Sequence, residues 1–186
     1  MTYNGDFLCE VAIPNKEISY VYNKEILQRF DDLVHPSVTI GIQEAMYSGD
    51  YIRLRDLIQS FLMETVSSFD TAAETFYHGL MLGLCVILSD AYITSNRESE
   101  NGRYDIQIMP KRQHFPGILI ELKAGKNPDK KQLKALADKA IIQIEEKRYE
   151  EEMRAKGIQH IYLYGIAFCG KYAEISFRES GKDLIS

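Results

Sequence analysis

Apolar and polar positions along the chain change period several times, and each change marks a new element. "FLCEVAIPNKEISYVYNKEILQRF" reads as an extended segment up to Ile13, a Pro-Asn turn, and a helix carrying Ile18, Val21, Tyr22 and Ile26 on one side. After His35-Pro36 two short amphipathic helices follow, over roughly residues 41–48 and 51–66; between them Gly49 stops the first and Asp50 caps the second. In "SSFDTAAETFYHGLMLGLCVILSD" Asp70 can cap a longer helix whose nearly unbroken apolar second half must be buried on most sides. Period-two alternation then takes over. "AYITS" is a short strand, "NRESENG" a polar turn, "RYDIQIM" a strand, "PKRQHFP" a loop and "GILIELK" a further strand. Two adjacent strands joined by a short loop most simply pair antiparallel. The stretch from Asn127 to Gly157 returns to helical period as one long helix, with Leu133, Leu136, Ala137, Ala140 and Ile144 as its apolar stripe and Gly157 as its stop. "HIYLYGIAF" and "YAEISF" are two last strands around a "CGK" turn. The order predicts an α/β fold: a helical lead-in over residues 1–68, then α-β-β-β-α-β-β over 69–186, a mixed β-sheet flanked by helices.

Composition narrows this picture only a little. The 186 residues, 45% of them hydrophobic and 26% charged, suffice for one packed domain with a small appendage and do not describe a disordered tail. The net charge of -5 argues against coating nucleic acid by bulk electrostatics and leaves a local basic face open. Cys9, Cys85 and Cys169 are far apart, odd in number and without C-x-x-C spacing, so they read as free thiols of a reducing cytoplasm. The longest apolar run, Gly79 to Leu88, is too short to cross a bilayer and lies mid-chain, where a signal peptide cannot be. The expectation is a cytoplasmic protein without a membrane partner, its oligomeric state open.

Three charged residues stand inside the apolar strands, where charge is expensive unless it is paired or bound to an ion. Alternation puts Glu121 and Lys123 on one face of "GILIELK" and Ile118, Ile120 and Leu122 on the other; in "RYDIQIM" Asp105 lies opposite Tyr104, Ile106 and Ile108. If the two strands pair, Asp105, Glu121 and Lys123 converge. Two carboxylates that meet repel unless a cation lies between them, and hard oxygen ligands suit Mg²⁺ or Mn²⁺. A lysine beside that ion can hold or deprotonate a water the metal has acidified, which is chemistry for phosphodiester hydrolysis. The competing account is a buried Asp–Lys–Glu salt-bridge cluster, to which a bare D…E-x-K pattern more often belongs.

The neighbouring motifs favour the first account. D-x(n)-E-x-K on adjacent strands, preceded by a helix with a glutamate and followed by one with a glutamine, resembles the PD-(D/E)XK nuclease superfamily and its restriction-endonuclease-like core. "FYHGLMLGL", "SNRESENGRYDIQI", "GILIELK" and "KALADKAIIQI" look more closely like the branch at the C-terminus of bacterial and archaeal AAA-ATPase-like proteins, and "IPNKE" looks like the joint that follows the ATPase there. The resemblance implies a Mg²⁺- or Mn²⁺-dependent nuclease acting on nucleic acid, DNA in preference to RNA. It implies that Asp105, Glu121 and Glu74 are metal ligands, Lys123 the water-positioning base or electrostatic stabiliser, and Gln143 a brace for the site. It also implies that residues 1–68 lead in from an N-terminal ATPase-like domain of the full-length parent, since no G-x-x-x-x-G-K-[ST] occurs in this chain. The alternative, from a different class, is a catalytically idle nucleic-acid-binding or regulatory module of that parent.

Weaker candidates surround these. His78 shares a helix face with Glu74 and is either a partner to the site or a satisfied core histidine. Arg103, on the strand of Asp105, could contact a phosphate or pair with a carboxylate. Lys111, Arg112 and His114 occupy the loop between the two strands, and Lys126, Lys130 and Lys131 make a basic patch; each group reads as solvated surface or as phosphate contact. Tyr149 reads as packing, His35 and His160 as structural.

Overall fold

The computed structural model describes residues 2–3, 6–7, 36–65, 74–86, 91–95, 98–99, 102–112, 115–126 and 128–180. Met1–Pro36 and Ser37–Ser186 are two compact units. Of the first, β1 (Thr2–Tyr3) pairs antiparallel with β2 (Asp6–Phe7); the helix expected after Ile13 lies outside the described residues, as do His35, Asp70 and His114.

α1 (Pro36–Ser48) starts five residues ahead of its expected start, and the second unit takes it up at Ser37. Proline tolerates the first helical position because the N–H it lacks would have no partner there. Gly49 takes a left-handed φ of 75°, and Asp50 accepts from Arg53 N at 3.0 Å to cap α2 (Tyr51–Thr65). Next come α3 (Glu74–Val86), β3 (Ala91–Ser95) and a ribbon of two short strands, β4 (Glu98–Ser99) with β5 (Gly102–Arg103), which takes up the expected polar turn and the first residue of the strand expected after it. They are followed by β6 (Ile106–Pro110), β7 (Gly117–Ala124), α4 (Lys130–Glu146), α5 (Glu150–Ala155), β8 (Ile161–Cys169) and β9 (Tyr172–Ser180). The five long strands form one mixed sheet in the order β3-β6-β7-β8-β9, with β6 and β7 antiparallel as expected and β7 and β8 parallel. The α/β architecture is that of a restriction-endonuclease-like core.

Helices cover both faces, so β8 is buried along almost its whole length. On one face α1 to α3 deliver Ile42, Met46, Leu54, Ile58, Leu62, Tyr77 and Met81 onto Ile106, Ile108, Ile118, Ile120 and Leu122. On the other, Ile141 and Ile144 of α4 and Met153 of α5 pack with Tyr104, Leu119 and Leu163. Residues 37–65 therefore share one core with the sheet.

The single long helix expected from Asn127 to Gly157 is two. Asp129 and Gln132 form a reciprocal capping box at the start of α4. The break comes at Arg148, whose φ of 49° reverses the chain so that Tyr149 is buried edge-on against Tyr104, with ring centroids 5.8 Å apart. The apolar stripe alone does not register this interruption. At Gly165 of β8 the α4 backbone lies so close that a Cβ would collide with Ala137 O and, at 2.9 Å, with Ala140 Cβ. Gly165 is the partner of Glu121 across the β7–β8 ladder, so this contact brings α4 down over a charged residue buried in the middle of the sheet.

Candidate functional site

Glu121 is the fifth residue of β7, and alternation turns its side chain to the α4 face while Ile120 and Leu122 enter the opposite core. It is 3% exposed. Its Oε1 accepts from Lys123 Nζ at 2.9 Å and from Gln143 Nε2 at 2.5 Å. Gln143 arrives there because it stands one turn beyond Ala140, which rests on Gly165. The other oxygen, Oε2, is buried, and among the described residues no donor reaches it with hydrogen-bond geometry. Burial pushes the Glu121 carboxyl up; Lys123 draws it down, the neighbouring Asp105 carboxylate adds to the rise, the Asp105 peptide N–H draws it down slightly, and the outcome is about 7. One lysine thus fails to compensate this carboxylate for its burial and its acidic neighbour.

Asp105 lies in a bend between β5 and β6. The bend corrects the expected alternation: Tyr104 packs on the α4 side with Leu119, on the face opposite Ile106 and Ile108. Its hydroxyl contacts Thr94 Oγ1 at 3.0 Å and donates to Gln107 Oε1 at 3.3 Å, so burying the ring on that side also satisfies its polar tip. The β6–β7 ladder ends at Ile106 opposite Ile120. One step beyond, Asp105 Oδ2 accepts from Leu122 N at 2.8 Å, and two residues further Glu74 Oε2 accepts from Ala124 N at 3.3 Å. Carboxylates from a bend and from the start of α3 thus continue the edge of β7 where β6 has stopped.

The structure brings together Asp105, Glu121, Lys123 and Gln143. Glu74 is exposed and reaches the same strand at Ala124, and among the described residues no three His, Cys, Asp or Glu side chains converge as a metal cage. His78 Nε2 lies 3.2 Å from Asp105 O and 3.1 Å from Ser95 Oγ. Arg103 ends β5, and its side chain lies outside the described residues. Lys111 and Arg112 follow β6 at the end of the hairpin away from Asp105, with Lys111 over the Tyr92 ring at 5.2 Å, so these two residues are not beside the carboxylates. Exposed Lys126, Lys130 and Lys131 follow the C-terminal end of β7, the end that carries the site. His160 faces Glu179 at 3.4 Å on the surface, and Tyr149 is buried as expected.

The donor set fits a small divalent cation. Mg²⁺ is held through one or two carboxylates and keeps several waters, so a three-residue protein cage is not needed. A buried carboxylate oxygen without a partner beside a second carboxylate is the electrostatic setting a cation completes. Sequence reasoning missed Ser95 and Gln107. Ser95 was one polar end of a short strand, and Gln107 is 2% exposed where strand alternation gave no sign that it would join Tyr104 and Thr94.

Among the described residues no helix is long and apolar enough to cross a membrane, and Cys85 and Cys169 are free. No curated protein matches the chain. A family model described as the PD-(D/E)XK nuclease superfamily matches residues 72–177, more than half of the chain and the stretch from just before α3 to the middle of β9.

Proposed function

The chain belongs to the PD-(D/E)XK nuclease superfamily, and from that premise we propose that it is a metal-dependent nuclease that hydrolyses phosphodiester bonds, of DNA in preference to RNA, with Mg²⁺ or Mn²⁺. The observation that carries this reading is Glu121: a buried carboxylate beside Asp105 whose Oε1 is fixed by Lys123 and Gln143 while Oε2 has no hydrogen-bond donor among the described residues. A plain salt-bridge cluster would leave no such oxygen, because breaking or omitting a partner of a buried charge is costly.

Asp105 and Glu121 would hold the cation, with Glu74 reaching the same edge of β7. The cation, when bound, supplies positive charge against the charge that develops on the phosphate. The chain's own groups do the rest. Gln143 holds the Glu121 carboxylate in place by donating to its Oε1. Lys123, 27% exposed and therefore in reach of solvent, orients the attacking water and stabilises the phosphate in the transition state. Water adds to phosphorus, the P–O ester bond breaks, and the products are a phosphate monoester and a hydroxyl.

Cleavage of single- and double-stranded DNA and RNA, measured in Mg²⁺ and in Mn²⁺, tests the reading. Asp105→Ala should abolish cleavage, and Lys123→Ala should slow it on the order of a hundredfold or more. Binding should survive both in large part, because affinity comes from phosphate contacts spread over the surface. Salt-dependent binding by wild type without cleavage in either ion would favour the idle module of an ATPase-like parent. Equal cleavage by wild type and both variants would make the cluster structural.

A further inference from the structure

We propose that His78 is a positioning residue for the Asp105 carboxylate, acting through the main-chain carbonyl of Asp105; the inference rests on the metal-dependent reading above and deepens it. Asp105 stands where regular pairing is interrupted, since β5 ends at Arg103 and the β6–β7 ladder begins at Ile106. Among the described residues no strand ladder pairs with its peptide as β8 pairs with that of Glu121. His78 Nε2 is placed to supply the missing constraint, 3.2 Å from Asp105 O. A carbonyl oxygen only accepts, so in this contact Nε2 carries the proton. The same nitrogen lies 3.1 Å from Ser95 Oγ at the end of β3, so one imidazole ties α3 to a neighbouring strand and to the bend.

The start of α3 is itself firmly anchored. Glu74 takes Ala124 N, Tyr77 Oη donates to Gly170 O at 2.8 Å, and the Tyr77 ring stacks on Phe168 with centroids 4.3 Å apart and planes 4° from parallel. Residues 74, 77 and 78 thus fasten one turn of helix to β7, to the β8–β9 turn and to the bend at Asp105. His78 passes that rigidity to the Asp105 peptide, and the Leu122 N–H then sets the carboxylate beside Glu121. A histidine that merely satisfied its own burial would affect fold stability and leave the carboxylate's affinity for a cation unchanged.

Calorimetric titration of metal-free protein with Mn²⁺ at mildly alkaline pH, with thermal melts in EDTA alongside, separates these roles. His78→Ala should weaken Mn²⁺ binding roughly tenfold or more, the scale for groups that orient a metal ligand, and His78→Gln, whose amide N–H can stand in the place of Nε2, should bind within about threefold of wild type. Asp105→Asn is the reference for loss of the ligand itself. Wild-type affinity in His78→Ala, with Asp105→Asn weakened, overturns the positioning role and leaves the site reading intact. Binding unchanged in Asp105→Asn overturns the site reading and this inference with it. If His78→Ala does not fold, His78→Phe fills the space without an N–H, and wild-type affinity in that variant equally overturns the proposal.

Discussion

Glu121 and Asp138 each pair with a lysine where α4 crosses the sheet, yet their surroundings push their acidity in opposite directions. Around Asp138 one carboxylate oxygen is met by two donors. Lys134 Nζ meets Asp138 Oδ1 at 2.6 Å and donates to Ser176 Oγ at 2.7 Å, Ser176 donates to the same carboxylate oxygen at 2.5 Å, and Arg178 holds Glu145 nearby. Burial works to raise the Asp138 carboxyl, but Lys134 and Ser176, and then the charge of Arg178, bring it below its ordinary value. The side chain is 53% exposed, so the network adds little to stability. Glu121 has one lysine and one amide, an acidic neighbour, an oxygen without a donor among the described residues, and almost no exposure to solvent. A cluster that is complete serves the fold; one held together while still short of positive charge is poised for something the chain does not itself supply.

The largest effect that would sharpen this contrast comes from Glu121→Gln. It should lower cleavage at least a hundredfold, the scale of a lost preorganised charge, while metal-free stability stays level or rises because a buried charge has gone. Turnover assays and urea melts of the same preparation check it, and a stable, fully active variant would make the two clusters alike.

Next in size is the pH dependence of the metal-free fold. Unfolded, the Glu121 carboxyl releases its proton near pH 4.5; folded, near 7. Between these values the folded protein keeps a proton the unfolded chain has lost. Stability from this group is therefore greatest at and below the lower value and falls by about 3 kcal/mol as the pH rises to the upper one. Asp138, with its lowered folded value, contributes stability above pH 3.8 that is lost on acidification, the opposite sign. Urea midpoints in EDTA from acid to neutral pH should show the Glu121 decline, and Glu121→Gln should flatten it.

Gly165→Ala addresses how the two clusters share α4. A Cβ there meets α4 backbone, so about 1–3 kcal/mol of stability should be lost, as for an overpacked core. Cleavage should fall too, as Gln143 moves off Glu121. The smallest effect belongs to Asp138→Asn, which should cost less than about 1 kcal/mol and leave cleavage unchanged.

Much of this was legible in the chain. Alternation in "GILIELK" placed Glu121 and Lys123 on one face, and the spacing of Ala140 and Gln143 placed the amide at the edge of the apolar stripe, because period is a local property. What escaped depended on distant partners. Arg148 breaks the long helix because Tyr149 finds Tyr104, 45 positions earlier. Tyr104 changes face because of a bend no period records. The Ser176 network joins residues 38 to 42 apart, with only the Lys134–Asp138 spacing visible along the helix.

The claim that Glu121 is short of a cation has one most direct test. A crystal soaked in Mn²⁺, with data collected at the manganese absorption edge, should show an anomalous peak between the carboxylates of Asp105 and Glu121, bonded to Glu121 Oε2, and none at Asp138. Carboxylates that point apart with no peak between them, or a peak on the Asp138 cluster instead, would contradict the account.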